Sequence, residues 1–328
     1  MHGNVPARAR YSVSDASRES NSAPPVGVDL GPHTPGAQTE TGTAGPLAGR
    51  LGLTIPHEWW PSAHLLKSLE AAGFSYVQVD GPPLSVLSSS RLCIKHAIAL
   101  HEALGTTDLA PLLHSPAGLR LGNAGGDRGM DGLIEYAAEI GATQIVYHAL
   151  ALPDEPESED ALRFEVRSLG RAARRAADLN LRIAVENLAP LYPGPETLSA
   201  NPMSLRGLAH RLDSEGVGVC LDLGHAHVVA ELRRTSLERF IEPVLDVVTL
   251  FHLHDNFGAR RGAGHGDALG VDPLRLDLHL PPGRGSLPWH SVGPLVLAHR
   301  APVVLEVHPP YRPRAAELRE DAALLLSA

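Results

Sequence analysis

Acidic and imidazole side chains stand at the ends of successive short apolar runs in this chain. LAPLLH (109–114) ends in His114, QIVYH (144–148) in His148, and RIAVEN (182–187) carries Glu186. GVCLDL (218–223) carries Asp222, with His225 three residues on. VVTLFHLHD (247–255) carries His252, His254 and Asp255, and VVLEVH (303–308) carries Glu306 and His308. A further D-x-H, Asp277 with His279, lies between these last two runs. Singly, each has a plain reading as a hydrogen-bonded rim residue, and Glu186 could be half of an ion pair. Together they are harder to satisfy, because a buried carboxylate is costly unless paired or metal-bound. Imidazole with carboxylate and no thiolate suits Zn²⁺ or Mn²⁺, with Fe²⁺ as a further option, rather than Mg²⁺ or Ca²⁺. Two Glu, two Asp and five His make nine candidate ligands. That set exceeds one tetrahedral site, and a carboxylate can bridge, so one to three ions are expected.

The elements that must position these groups follow from the texture of the chain. LGLTI (51–55) and YVQVD (76–80) complete a set of eight strand candidates with the runs above. They read as nearly continuous apolar segments, as parallel strands buried on both faces do. Helical patterns are expected between them, near 61–72, 91–104, 129–140, 158–179, 202–213, 233–243, 289–300 and 314–327. Eight βα units of this length predict an α/β fold, a (β/α)8 TIM barrel, whose catalytic groups sit at the C-terminal strand ends. An open doubly wound sheet is the runner-up. It is disfavoured because no G-x-G-x-x-G follows the first strand and no P-loop occurs. The connection 255–289 is far longer than an ordinary loop, which marks it as functional.

Composition bounds the rest. The 328 residues are 43% hydrophobic and 20% charged, as in an ordinary globular protein. Residues 1–48 differ: rich in Gly, Pro, Ser and Thr, with no apolar period, they are expected to be a disordered low-complexity tail preceding a single barrel domain, 49–328. No apolar run is long enough to span a membrane, and the first residues carry no apolar secretory core. Cys93 and Cys220 read as two buried, reduced thiols, which favours a cytoplasmic protein. A net charge of −9 argues against nucleic acid as the partner. Nothing in the sequence specifies an oligomeric state.

The segments IAVENL, GVCLDLGHAH, LFHLHDN, DLHLPPGRGSLPW and VVLEVH resemble, in order, the strand-end motifs of the xylose isomerase-like TIM-barrel superfamily. That superfamily includes sugar and sugar-phosphate isomerases and epimerases and the AP endonuclease endonuclease IV. The resemblance implies a Glu, Asp, His, Glu metal site on Glu186, Asp222, His252 and Glu306. The trinuclear zinc ligands of endonuclease IV would fall on His114, His148, Glu186, His225, Asp277 and His279 as well. The preferred reading is an isomerase or epimerase of a small carbohydrate-like substrate. Glu186 and Glu306 would be its acid/base pair, working through an enediolate. Asn187, His254, Asn256 and Trp289 are the candidate substrate-binding residues. The alternatives are a zinc-dependent phosphodiesterase of the AP endonuclease type and a metal-binding barrel without isomerase activity. Ser115, Pro116 and Ala117 follow His114 where the endonuclease has a DNA-holding aromatic, and no basic, aromatic-rich loop is evident.

Overall fold

The computed structural model describes residues 47–55, 62–87, 90–190, 196–212, 216–259 and 277–328. The expected tail, apart from a turn at its end, and the middle of the long connection lie outside the described residues. Eight strands form a closed parallel barrel in sequence order: β1 Leu51–Ile55, β2 Tyr76–Asp80, β3 Ala110–His114, β4 Gln144–Tyr147, β5 Arg182–Glu186, β6 Val217–Asp222, β7 Val248–Leu253 and β8 Val303–Leu305. The surrounding helices are α1 Ala63–Ala71, α2 Leu84–Leu87, α3 Ser90–Leu104, α4 Ala124–Glu139, α5 Glu159–Ala177, α6 Pro202–Leu212, α7 Leu223–Leu232, α8 Leu237–Ile241, α9 Trp289–Ala298 and α10 Ala315–Leu326.

The strands are apolar on both faces because each faces two cores. Leu113, Ile145, Val185, Leu221, Phe251 and Leu305 point outward into the large core beneath the helices. Leu112, Val146, Ala184, Cys220, Leu250 and Val304 point inward and form an apolar plug. Tyr76 packs on this plug. Gly52, its partner on β1, makes room for it: a Cβ there would lie 2.8 Å from that of Tyr76.

Side chains two apart on a strand share a face. The next inward position above the plug is therefore Gln78, His114, His148, Glu186, Asp222, His252 and Glu306, with Thr54 on β1. This polar layer at the C-terminal mouth is the candidate site.

The helices differ from the sequence expectation in two regions, besides the additional short α2. The helix expected near 233–243 is present as the short α8, and α7, which leaves β6 without a loop, precedes it as an additional helix. Residues 223–230 are all buried, so no apolar/polar period marks them as helix. The α4 helix begins at Ala124 rather than near 129, through Gly125, Gly126 and Gly129. Asn123 caps it, its Oδ1 accepting from Gly125 N and Gly126 N.

Candidate metal centre

The nine expected ligands all lie at the mouth, in three adjacent groups. The inner group is His114, His148 and Glu186. The central group is Glu186, Asp222, His252 and Glu306. The outer group is His225, Asp277 and His279, joined by His254. Exposure rises from the centre outward: the Glu186 side chain is 1% exposed, against 32% for His148 and 37% for Asp277.

Glu186 faces two groups at once. Its Oε2 is 3.2 Å from both His114 Nε2 and His148 Nε2. Its Oε1 is 3.3 Å from His252 Nδ1. His252 Nδ1 is also 3.4 Å from Glu306 Oε2. In the outer group, Asp277 Oδ2 is 3.4 Å from His225 Nε2, and Oδ1 is 3.3 Å from His279 Nε2. With zinc–ligand bonds of 2.0–2.1 Å, the edge of a coordination tetrahedron is about 3.3–3.4 Å. The spacings match that edge.

Supporting hydrogen bonds aim the imidazole lone pairs into the site. His114 Nδ1 donates to Ser115 O at 2.8 Å, His225 Nδ1 to Asn187 O at 2.8 Å, and His279 Nδ1 to Glu306 O at 3.0 Å. Each leaves Nε2 facing its group. His252 is reversed. Its Nε2 donates to Gln78 Oε1 at 2.8 Å, which leaves Nδ1 facing the centre. Gln78 Nε2 in turn donates to Glu306 Oε1 at 2.6 Å, and Thr54 Oγ1 donates to the same oxygen at 3.2 Å. Glu306 Oε2 is thereby left toward the site.

The electrostatics describe a negative well. Burial disfavours the imidazolium of His114, yet the hydrogen bond and charge of Glu186 push it up to about 10. Burial likewise opposes a charged His279, but Asp277 raises it to about 9. His225 is held well above its ordinary value, against burial, by Asp222 and Asp277. Burial would raise the carboxylic acid of Glu186, but His252 and His148 keep it well below the usual range. Protons on these imidazoles take the place of cations. Asp222 Oδ2 is buried without a hydrogen-bond partner, an orphan acceptor aimed where a cation would satisfy it. The donor set fits divalent metal. Cys220 lies beside Glu186 and His252, but burial, then Glu186, pushes its thiol well up, so it stays neutral.

The expected substrate-binding residues are placed differently from one another. Asn187 is fully used by the backbone of Asp222: its Oδ1 accepts from Asp222 N and its Nδ2 donates to Asp222 O, both at 2.8 Å. Asn256 Nδ2 donates to Gly224 O and its Oδ1 accepts from Gly258 N. Trp289 Nε1 donates to Asp255 Oδ2, and that carboxylate also accepts from Gly283 N and Leu287 N. These three therefore brace the site and the end of the long connection. His254 lies inside the outer group. Sequence reasoning missed Gln78 and Thr54, whose only signal was a polar residue at an inward strand position. It also missed Glu165, which accepts from Tyr147 Oη and Leu150 N on either side of His148.

A family profile described as a xylose isomerase-like TIM barrel matches residues 66–328. An uncharacterized protein, y4fM, from Sinorhizobium fredii (strain NBRC 101917 / NGR234) is 29% identical over 180 residues, 53% of this chain and 50% of that protein. The aligned part thus spans half of that relative's length. A D-tagatose 3-epimerase-like protein superposes with a TM-score of 0.63 at 19% identity, over 85% of this chain and 97% of that one. The 3-keto-D-glucoside 4-epimerase YcjR from E. coli superposes at 0.59 with 16% identity, over 85% and 99%. The TTHB071 protein from Thermus thermophilus, soaked with ZnCl2, superposes at 0.57 with 24% identity, over 84% and 98%. At these identities the structural likenesses establish the fold.

Proposed function

The chain belongs to the xylose isomerase-like TIM-barrel family, and from that premise we propose that it is a metal-dependent isomerase or epimerase of a sugar or sugar phosphate. The observation that carries the reading is the pair of carboxylates flanking one centre. Glu186 Oε1 and Glu306 Oε2 stand 3.3 and 3.4 Å from the same His252 nitrogen, on strands β5 and β8. The epimerases among the structural neighbours support the same class.

Glu186, Asp222, His252 and Glu306 would hold the central ion. A divalent cation there supplies the positive charge that acidifies a C–H beside a carbonyl. The chain's own residues do the rest. Glu306 is the better placed of the two to move a proton, because Gln78 and Thr54 engage Oε1 and leave Oε2 facing inward. Glu186, on β5, would return or remove the second proton, as general acid or base. The apolar plug beneath the layer closes the barrel interior below it. Substrate enters from the side of the more exposed His148 and Asp277.

One observation favours a second reading. Glu186 faces two groups of ligands, and adjacent ions sharing a carboxylate also suit phosphoester hydrolysis. A paired assay separates the two. Metal-loaded protein is incubated in D₂O with ketoses and ketose phosphates, and in parallel with a duplex containing an abasic site. Deuterium is expected at the carbon beside the carbonyl, lost in Glu306→Gln at retained metal content, with no strand cleavage. Cleavage without deuterium incorporation would overturn the isomerase reading in favour of the phosphodiesterase.

A further inference from the structure

We infer that His254 is the fourth protein ligand of the outer metal, which makes that site closed and structural rather than catalytic. The inference rests on the metal-dependent reading above and refines it.

His254 is fully buried, and neither of its ring nitrogens has a hydrogen-bond partner. Burying an imidazole with no partner on either nitrogen is costly, and native structures rarely tolerate it. His254 Nε2 is 3.1 Å from Asp222 Oδ1, a charge contact outside hydrogen-bond geometry. That oxygen already accepts from His225 N at 2.7 Å as the cap of α7. A second anchor is steric. A Cβ on Gly224 would lie 2.1 Å from His254 Cε1 and 2.4 Å from its Nε2. The ring thus lies directly on the Gly224 backbone, at a position where no side chain fits. Its other face stacks on His279, with centroids 3.8 Å apart and planes 13° apart. The ring is clamped between the two, and its Nε2 comes within 3.7 Å of Asp277 Oδ1.

Three imidazole Nε2 atoms therefore surround one carboxylate, at 3.4 Å for His225, 3.3 Å for His279 and 3.7 Å for His254. Three nitrogens and one oxygen complete the four-coordinate shell of a structural zinc site. Catalytic sites keep three protein ligands and one open position. The place of the site in the fold agrees. His254 follows β7, His225 is on α7, and Asp277 and His279 belong to the long connection. His279 has a φ of 47°, a left-handed conformation that persists in a non-glycine residue only where its surroundings hold it. An ion at this point fastens the returning arm of the connection to the barrel. With no open position, it cannot clamp a phosphate or stabilise a leaving oxygen, as a third hydrolytic ion must.

The test uses the full-length protein loaded with Zn²⁺. Anomalous diffraction is expected to place the outer ion within bonding distance of His254 Nε2, with no water in its shell. His254→Phe keeps a flat ring between Gly224 and His279 but removes the donor. It should lose one zinc equivalent, with outer-site affinity falling more than about 100-fold, beyond the 10–100-fold that losing a merely supporting partner costs. In the Co²⁺ form, the tetrahedral visible band of the outer ion should be unmoved by inorganic phosphate. An outer ion ligated by three residues and a water, with His254 beyond bonding distance, would overturn the inference. So would zinc bound centrally but not at the outer group. Absence of zinc from every group would instead remove the reading on which it rests.

Discussion

Metal loading should expel protons, and the structure sets the number. In the metal-free protein His114 titrates at about 10, raised against its burial by Glu186, and His279 at about 9, raised by Asp277. At pH 7.5 both rings therefore carry a proton on the nitrogen that must ligate. Filling the inner and outer groups has to remove at least two protons, since a metal takes only the neutral imidazole. Each proton displaced makes the apparent affinity climb about tenfold per pH unit below the ring's titration point. From pH 6.5 to 8.5 the inner ion should bind about 100-fold more tightly, and the outer ion at least as steeply, because His225 is raised as well. The assay is a chelator-buffered Zn²⁺ titration across that range, with released protons followed by an indicator dye in weak buffer. The same shifts have a signature without metal. A folded-state value above the unfolded 6.5 contributes stability that is fully present below 6.5 and lost as pH rises through about 9–10. The metal-free melting temperature should fall between pH 7 and 10, and metal should remove that dependence. Release of less than about one proton, or a pH-independent affinity, would refute the assignment of these rings as ligands.

Two further substitutions test the supports of the site. Glu186→Ala should lose two zinc equivalents by elemental analysis, because its oxygens face the inner and central groups, whereas Asp277→Ala should lose one. Glu165→Ala leaves Tyr147 Oη and Leu150 N without the carboxylate they share, at a cost of about 2–4 kcal/mol in denaturant unfolding. The inner ion should be lost first in that variant, and Glu165→Gln, which keeps an acceptor, should restore it.

The barrel and six of the candidate ligands were legible because a parallel strand repeats every two residues. Leu112 with His114, Val146 with His148, Ala184 with Glu186, Cys220 with Asp222, Leu250 with His252 and Val304 with Glu306 each pair a plug residue with a mouth residue. The same rule puts Gln78 above Tyr76, but a neutral amide in a β-run carries little signal. It also puts His254 on the face of His252, one step further out. The resemblance makes His252 a ligand and His254 a substrate contact, and the grouping of His254 with His225, Asp277 and His279 motivates the proposal that it ligates as well. The segment of α7 was missed for the opposite reason: Leu223 to Ala230 are all buried, so no amphipathic period marks them.

Glu165 is the instructive omission. The buried face of α5 runs Glu165, Ser168, Leu169, Ala172, Ala173, Ala176, a helical stripe of i, i+3, i+4, i+7, i+8 and i+11. A carboxylate on a stripe of small and apolar residues has to find donors inside the fold. Here they are the hydroxyl of Tyr147 and the amide of Leu150, and Tyr147 Oη in turn accepts from Leu121 N in the loop after β3. The misfit on the helix stripe thus pointed to the group that ties together the two loops beyond His114 and His148. A polar residue out of place in an amphipathic period is as direct a pointer to a site as a histidine at a strand end, one step removed from the chemistry.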